Sequence, residues 1–241
     1  MRKQTLPLPM TTTSIAVEES PRIRILLALA DDALILGHRL SEWTGHAPTL
    51  EEELALANIA LDLIGQARAL YRATGLNEDE LAYLRDAHLF RNAPIAELPN
   101  GDFAFTIVRL FLISVASDQF WRSAVQNDDP DIAAIAAKAE KETAYHVRHA
   151  ADWLIRLGDG TAESHRRAQN ALDALWPYTG DIVGRDAWLQ AVAPVLARAT
   201  LTQPAEGWMQ PSGRDGRHTE HLGHLLAEMQ ILPRTYPGAT W

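Results

Sequence analysis

The sequence predicts an all-α fold, a four-helix bundle with additional shorter helices. Three observations carry that prediction. Nearly every long segment spaces its apolar residues three and four apart, and none sustains the two-residue alternation of a strand. Helix starts and stops are legible as caps, prolines and glycines at the expected offsets. The long helical segments fall into two pairs separated by one irregular stretch, as a bundle requires.

The first helix is predicted over residues 21–44, where the largely apolar IRILLALADDALILGHRL is interrupted by Asp31 and Asp32. The second covers 50–74. Thr49 with Glu52 three residues later makes a capping-box pattern at its start, and Gly75 sits where a left-handed stop falls. Asn77 with Glu80 opens a short helix near 78–91 in the same way. The stretch FRNAPIAELPNGD, 90–102, is read as the crossover between the two helix pairs of a ferritin-like bundle, not as a domain boundary. A third long helix is expected over 101–127. The fourth, 130–157, begins with Asp129 as cap and Pro130 at the first helical position, and Gly158 is expected to stop it. Shorter helices follow near 161–176, 184–201 and 217–232, with an ordered Gly- and Pro-rich loop at 202–219. Residues 1–20 are expected to be a loosely ordered segment and 21–241 a single domain.

Composition narrows the function classes. The chain has 241 residues, 47% hydrophobic and 22% charged, enough to bury a full core. Its formal charge of −9 argues against nucleic acid as a partner. It has no cysteine, which excludes disulfides, thiolate nucleophiles, zinc ribbons and cysteine-ligated iron–sulfur clusters. The first twenty residues lack a continuous apolar stretch of signal-peptide type, and no uninterrupted apolar run reaches bilayer length. A soluble cytoplasmic protein, with no membrane contact, is therefore expected. Neither a glycine-rich phosphate loop nor a Ser-His-Asp or Cys-His nucleophile signature occurs.

Each long helix carries an apolar stripe with polar residues near its middle. Asp31, Ile35, His38 and Glu42 share one face of the first. Leu56, Ile59, Leu63, Gln66 and Leu70 form the stripe of the second, with Asn58 and Asp62 beside it. Ile107, Phe111, Ser114, Asp118, Trp121 and Val125 align on the third, and Ile135, Ala139, Thr143, His146, Ala150, Trp153 and Leu157 on the fourth. A carboxylate among Phe111, Trp121 and Val125 is costly unless it is paired, hydrated or bound to metal. Four helices with polar groups at comparable depth predict a polar centre inside the bundle.

Carboxylate-bridged di-iron proteins place their metals there. One Glu comes from each of two helices, and a Glu-x-x-His pair from each of the other two. Here Glu42 and Asp118 stand at the single-carboxylate positions. Leu63 and Gln66 occupy the first Glu-x-x-His pair, Thr143 and His146 the second. Leu63 cannot ligate, and a neutral glutamine oxygen is a weak substitute for imidazole on iron. Three candidate ligands remain where six are needed. Two readings stay open: a mononuclear site of Glu42, Asp118 and His146, or a hydrogen-bonded polar core with Arg39 or Arg68 as counter-charge.

Three segments, SEWTGHAPTLEEELALANIALDLIGQARALY (41–71), KAEKETAYHVRHAADWLIRLGDGT (138–161) and HTEHLGHLLAEMQ (218–230), carry a resemblance. They resemble the C-subunit family of bacterial phenylacetyl-CoA epoxidase, in the ferritin-like superfamily, in the same order from about Leu29 to Trp241. The resemblance implies a multicomponent monooxygenase that forms the 1,2-epoxide of phenylacetyl-CoA in aerobic phenylacetate breakdown. It implies a paralogous catalytic A subunit holding the di-iron site, and a small bridging B subunit. A reductase with flavin and an iron–sulfur cluster would draw electrons from NADPH. This chain would be the structural, non-catalytic partner, binding no cofactor or metal of its own; since obligate interfaces are large and apolar, the isolated chain is expected either to self-associate or to expose an apolar helix face. LDLIGQ keeps the Asp and Gly of the active subunit's Asp-Glu-Ala-Gly-His, as Asp62 and Gly65, while the ligands are gone.

The rivals are a metal-dependent oxidase or hydroxylase built on Glu42, Asp118 and His146, and a ferritin-like storage or scaffold protein unrelated to oxygenases. His218, His221 and His224, with Glu220 and Glu228, could gather a metal at helical spacing, but partner contact or capping is the expected role. Glu142, four residues before His146, falls off the stripe and is expected to be solvated or paired with Lys138; His149 follows it. Trp43, Trp121, Trp153, Trp176 and Trp188 are expected as core or interface anchors.

Overall fold

A computed structural model describes residues 14–239, and these residues form α-helices, short 3-10 turns and loops, with no strand among them. The four long helices are α1 (Pro21–Ser41), α2 (Leu50–Ala73), α5 (Phe103–Ala124) and α6 (Pro130–Gly158). Between the pairs lie α3 (Glu78–Tyr83) and α4 (Pro94–Glu97). After them come α7 (Ala162–Leu175), α8 (Arg185–Arg198) and α9 (Glu220–Thr235). The predicted helix near 78–91 is thus cut to six residues plus a 3-10 turn at Ala87–Leu89.

α1 packs along α2 and α5 along α6, and the hairpins meet chiefly through α2 and α6. α7 and α8 cover α5 and α6, while α9 returns to α3, α4 and the 87–89 turn. The stripes close on one another as a continuous core: Leu27, Ile35, Ile59, Leu70, Phe111, Ala139 and Leu154 are buried. By length and composition alone α5 is apolar enough to cross a bilayer. It was not expected to be, because its interior Arg109 and Asp118 break every uninterrupted run. In the fold it is a core helix, with Ile107, Leu110, Phe111 and Leu112 fully buried.

The caps follow the residues. Thr49 accepts from the Glu52 amide, Asn77 from Asp79 and Glu80, and Asp129 from Asp131 and Ile132. The first box is only half formed, because the Glu52 carboxylate turns to His149 on α6, 3.2 Å away. Gly75 adopts the left-handed conformation, φ +79°. Gly158 does not: it is the last residue of α6, and its missing side chain makes room for the Ala199 carbonyl.

Trp121, Trp176 and Trp188 are buried, whereas Trp43 and Trp153 are half-buried, each edge-on to Phe103. Residues 15–20 lie against the body: Ile15 N–H donates to the Leu84 carbonyl, Glu19 pairs with Arg91 and Ser20 caps α1. The rest of the segment expected to be loosely ordered, residues 1–13, lies outside the described residues.

Candidate functional site

The position of a di-iron centre would be the α2–α6 seam, facing α1 and α5. Leu63 is part of the apolar core. The Gln66 amide donates to Glu142 at 2.9 Å, and the other oxygen of Glu142 holds Lys138 at 2.9 Å. Glu142 therefore has the expected lysine, but it is also a seam residue, only 13% exposed. The sequence gives little hint of this, because Glu142 lies just off the apolar stripe. Thr143 is buried and turns its hydroxyl back onto the Ala139 carbonyl of its own helix. His146 is buried, with Nε2 3.1 Å from the carboxylate of Asp62.

Burial pushes the His146 imidazole below its ordinary pKa, against the pull of Asp62. The ring is therefore neutral at pH 7 and donates Nε2–H to the carboxylate. His149 is likewise held low by burial, with Glu52 opposing. The facing atoms of that pair, Glu52 Oε2 and His149 Nε2, lie outside hydrogen-bond geometry and have no other partner.

The two single carboxylates lie elsewhere. Glu42 is not on an inward stripe: it is the C-cap of α1, 41% exposed, bound to Arg39 at 2.8 Å and to Asn100 at 3.0 Å. Asp118 is mostly buried, with Arg122 on one oxygen at 2.8 Å and the other oxygen without a partner. Among the described residues no three His, Asp or Glu side chains come together as a set that could hold a metal ion. Glu42, Asp118 and His146 are each engaged separately, and the donors at the Glu-x-x-His positions are a leucine, an amide, a hydroxyl and one imidazole. These residues do not fit a di-iron centre.

A fully buried polar cluster around Asp31 was not foreseen. Asp31 is fully buried and accepts from both terminal nitrogens of Arg85, from the Tyr71 hydroxyl at 2.5 Å and from the Arg91 amide at 2.7 Å. Burial opposes the Arg85 charge, but Asp31 outweighs it and holds the guanidinium above its ordinary pKa. Burial beside Asp31 holds Tyr71 well above its usual value.

Asp32 pairs with Arg214 at 2.5 Å and accepts the Ala93 amide. Glu97, also fully buried, accepts from Asn92 and from the Thr219 amide and lies 2.8 Å from Nδ1 of His218. The expected counter-charges act elsewhere: Arg39 serves Glu42 and the Glu97 carbonyl, and Arg68 reaches Glu78 at the surface. Of the three terminal histidines, His218 precedes α9 and is bound inside, while His224 is exposed, so they do not form one face. Arg109 is a buried cation that reaches only the Leu98 carbonyl and Asn100, and burial together with Arg39 pushes its pKa down to about 9.

An apolar cavity of about 640 Å³ opens between α1, α4, α5 and the 181–184 loop, walled by Leu29, Ile95, Ile113, Phe120 and Ile182. Its two carboxylates are engaged, Asp32 by Arg214 and Asp181 by the Gly213 amide.

Comparison with known proteins supplies a relationship. A family model described as phenylacetic acid catabolic protein matches residues 8–187 and 185–241. A curated relative, the C subunit of 1,2-phenylacetyl-CoA epoxidase from Escherichia coli (strain K12), is 42% identical over 240 residues, covering 89% of this chain and 97% of the relative. The chain belongs to the phenylacetic acid catabolic protein family.

Proposed function

We propose that this chain is a non-catalytic structural subunit of a phenylacetyl-CoA 1,2-epoxidase, acting in aerobic phenylacetate catabolism. Family membership implies a multi-subunit assembly. Within it, the chain would support a paralogous di-iron subunit, beside a small bridging subunit and a reductase that carries flavin and an iron–sulfur cluster and is supplied by NADPH. The observation that carries the reading is the occupancy of the four Glu-x-x-His positions. Leu63 and Thr143 replace both carboxylates, Gln66 is tied to Glu142, and His146 to Asp62. A bundle with these residues keeps the shape of an oxygenase subunit and lacks the donor set for its metals.

The test is reconstitution. Epoxide formation from phenylacetyl-CoA is expected to collapse when this chain is omitted, and to survive His146→Ala in it. Activity that persists without the chain overturns the proposal. Iron analysis of the purified chain checks the rival oxidase. Near-stoichiometric iron that disappears in His146→Ala would establish a site of its own.

A further inference from the structure

The apolar cavity between α1, α4, α5 and the 181–184 loop shares no residue with the emptied metal positions. Ile113, Ala116 and Phe120 of α5 line it at three- and four-residue spacing and are only half-buried. α5 thus carries a second apolar stripe beside the one buried in the bundle. Across from it, Ala93, Ile95 and Ala96 of the crossover are buried. The volume, about 640 Å³, falls in the range of about 300–1,000 Å³ typical of small-molecule sites, which form between the helices of bundles. Most polar groups of the wall are already engaged. Arg214 holds Asp32 and the carbonyls of Ala28 and Arg91, which fixes that wall in place. The Gln119 amide donates to the Ala187 carbonyl, the Ser123 hydroxyl to the Phe120 carbonyl, and Arg122 pairs with Asp118. Two acceptors are left. One oxygen of Asp181 takes the Gly213 amide, while its other oxygen and the Ser117 hydroxyl make no hydrogen bond among the described residues.

We propose that this cavity binds an uncharged, largely apolar small molecule that carries one hydrogen-bond donor. Charge selects against an anion. Both arginines of the wall are matched by carboxylates, and Asp181 has no cation in contact, so an anionic group would enter an apolar space with no free positive partner. A cation would shed its hydration among Leu29, Ile95 and Ile113 for a single carboxylate oxygen. An uncharged O–H or N–H meets neither cost, and Asp181 and Ser117 offer it acceptors that orient the ligand. Shape selects a small molecule over a subunit. The apolar surface is recessed, and Arg122 and Ser123 at its edge are polar and exposed, whereas a subunit contact presents its apolar anchors on a broad patch. This inference does not rest on the epoxidase reading.

The probe is N-phenyl-1-naphthylamine, an uncharged fluorophore with one N–H. Titrated into the full chain, it is expected to bind saturably, one molecule per chain, with micromolar affinity. Its sulfonated analogue, 8-anilinonaphthalene-1-sulfonate, has the same aromatic body and is expected to bind about tenfold more weakly or worse. Ala116→Trp fills the cavity and is expected to abolish binding with the helical circular dichroism intact. Ile182→Asp, on the loop wall and outside any helix, gives a second variant should the tryptophan disturb α5, and it is expected to weaken binding by about tenfold. Leu54→Glu with Leu61→Glu, which removes exposed apolar surface elsewhere, is expected to leave binding unchanged. Four results would each overturn the proposal: no saturable binding, binding retained in both cavity variants, tighter binding of the sulfonate, or loss of binding in the Leu54/Leu61 variant. Displacement of the probe by an added partner subunit would make the cavity a subunit contact and overturn it as well.

Discussion

Asp31 survives as a fully buried carboxylate because Tyr71, the Arg91 amide and both ends of the Arg85 guanidinium converge on it. Removing one partner of such a pair leaves an uncompensated charge, which costs about 3–5 kcal/mol, more than the pair contributes against an apolar replacement. Arg85→Met is therefore expected to lower unfolding free energy by about that amount in urea titration, and adding Asp31→Leu should recover part of it. If Arg85→Met proves neutral, the cluster is not what holds the 84–91 segment. The seam histidines act through protonation. His146 titrates low in the fold and near 6.5 when unfolded. The unfolded chain then binds more protons between those values, so stability is complete above about pH 6.5 and declines as the pH falls toward the folded value. His149 adds in the same sense. His146→Gln is expected to flatten this acid limb while changing stability at pH 8 much less. An acid limb unchanged in the variant would remove His146 from the account.

Elements show which parts of the fold a sequence discloses. α1, α2, α5 and α6 were legible because periodicity is local, and so are the caps of α2, α3 and α6: Thr49, Asn77 and Asp129 each satisfy amides two or three residues away. What stayed hidden is what depends on distant partners. Asp31 reads as a flaw in an apolar helix until Arg85, 54 residues on, is beside it. Glu42 had the right spacing to point inward, but α1 ends at Ser41 and leaves it as a cap. The loss of both carboxylates from the Glu-x-x-His positions was legible, because Leu63 and Thr143 are not acids whatever surrounds them; the Gln66–Glu142 contact was not. Gly158 is the clearest case. It looked like a helix stop, whereas its role is to admit the Ala199 carbonyl against α6. That carbonyl cannot move without shifting α8, so Gly158→Ala is expected to destabilise by about 1–3 kcal/mol, as overpacking does. Gly65→Ala, which meets nothing inside its own chain, should leave the fold as stable or more so. Thermal melts of the two variants at low protein concentration check the contrast.

At the scale of the whole molecule, the acids of α1 and α4 fasten the crossover and the tail to the bundle. Asp31 and Asp32 hold the Arg91 and Ala93 amides, and Asp32 also holds Arg214. Glu97 collects Asn92, His218 and the Thr219 amide just before α9, and Gln230 and Arg234 of α9 return to the carbonyls of residues 82–85. The last helix thus closes over the connection between the two hairpins and ties together residues far apart in sequence. Glu97 is the joint of this closure, since one buried carboxylate serves three donors on two segments. Glu97→Ala leaves those donors unpaired, at about 1–3 kcal/mol for each that water cannot reach. Because α5 and α6 share none of these bonds, the loss should be regional. Hydrogen exchange by mass spectrometry is expected to show faster exchange across residues 86–98 and 213–222 in Glu97→Ala, with the α5–α6 hairpin still protected. Uniform loss of protection would mean that the closure and the bundle are one cooperative unit, and unchanged exchange would mean that α9 is held by its apolar face alone.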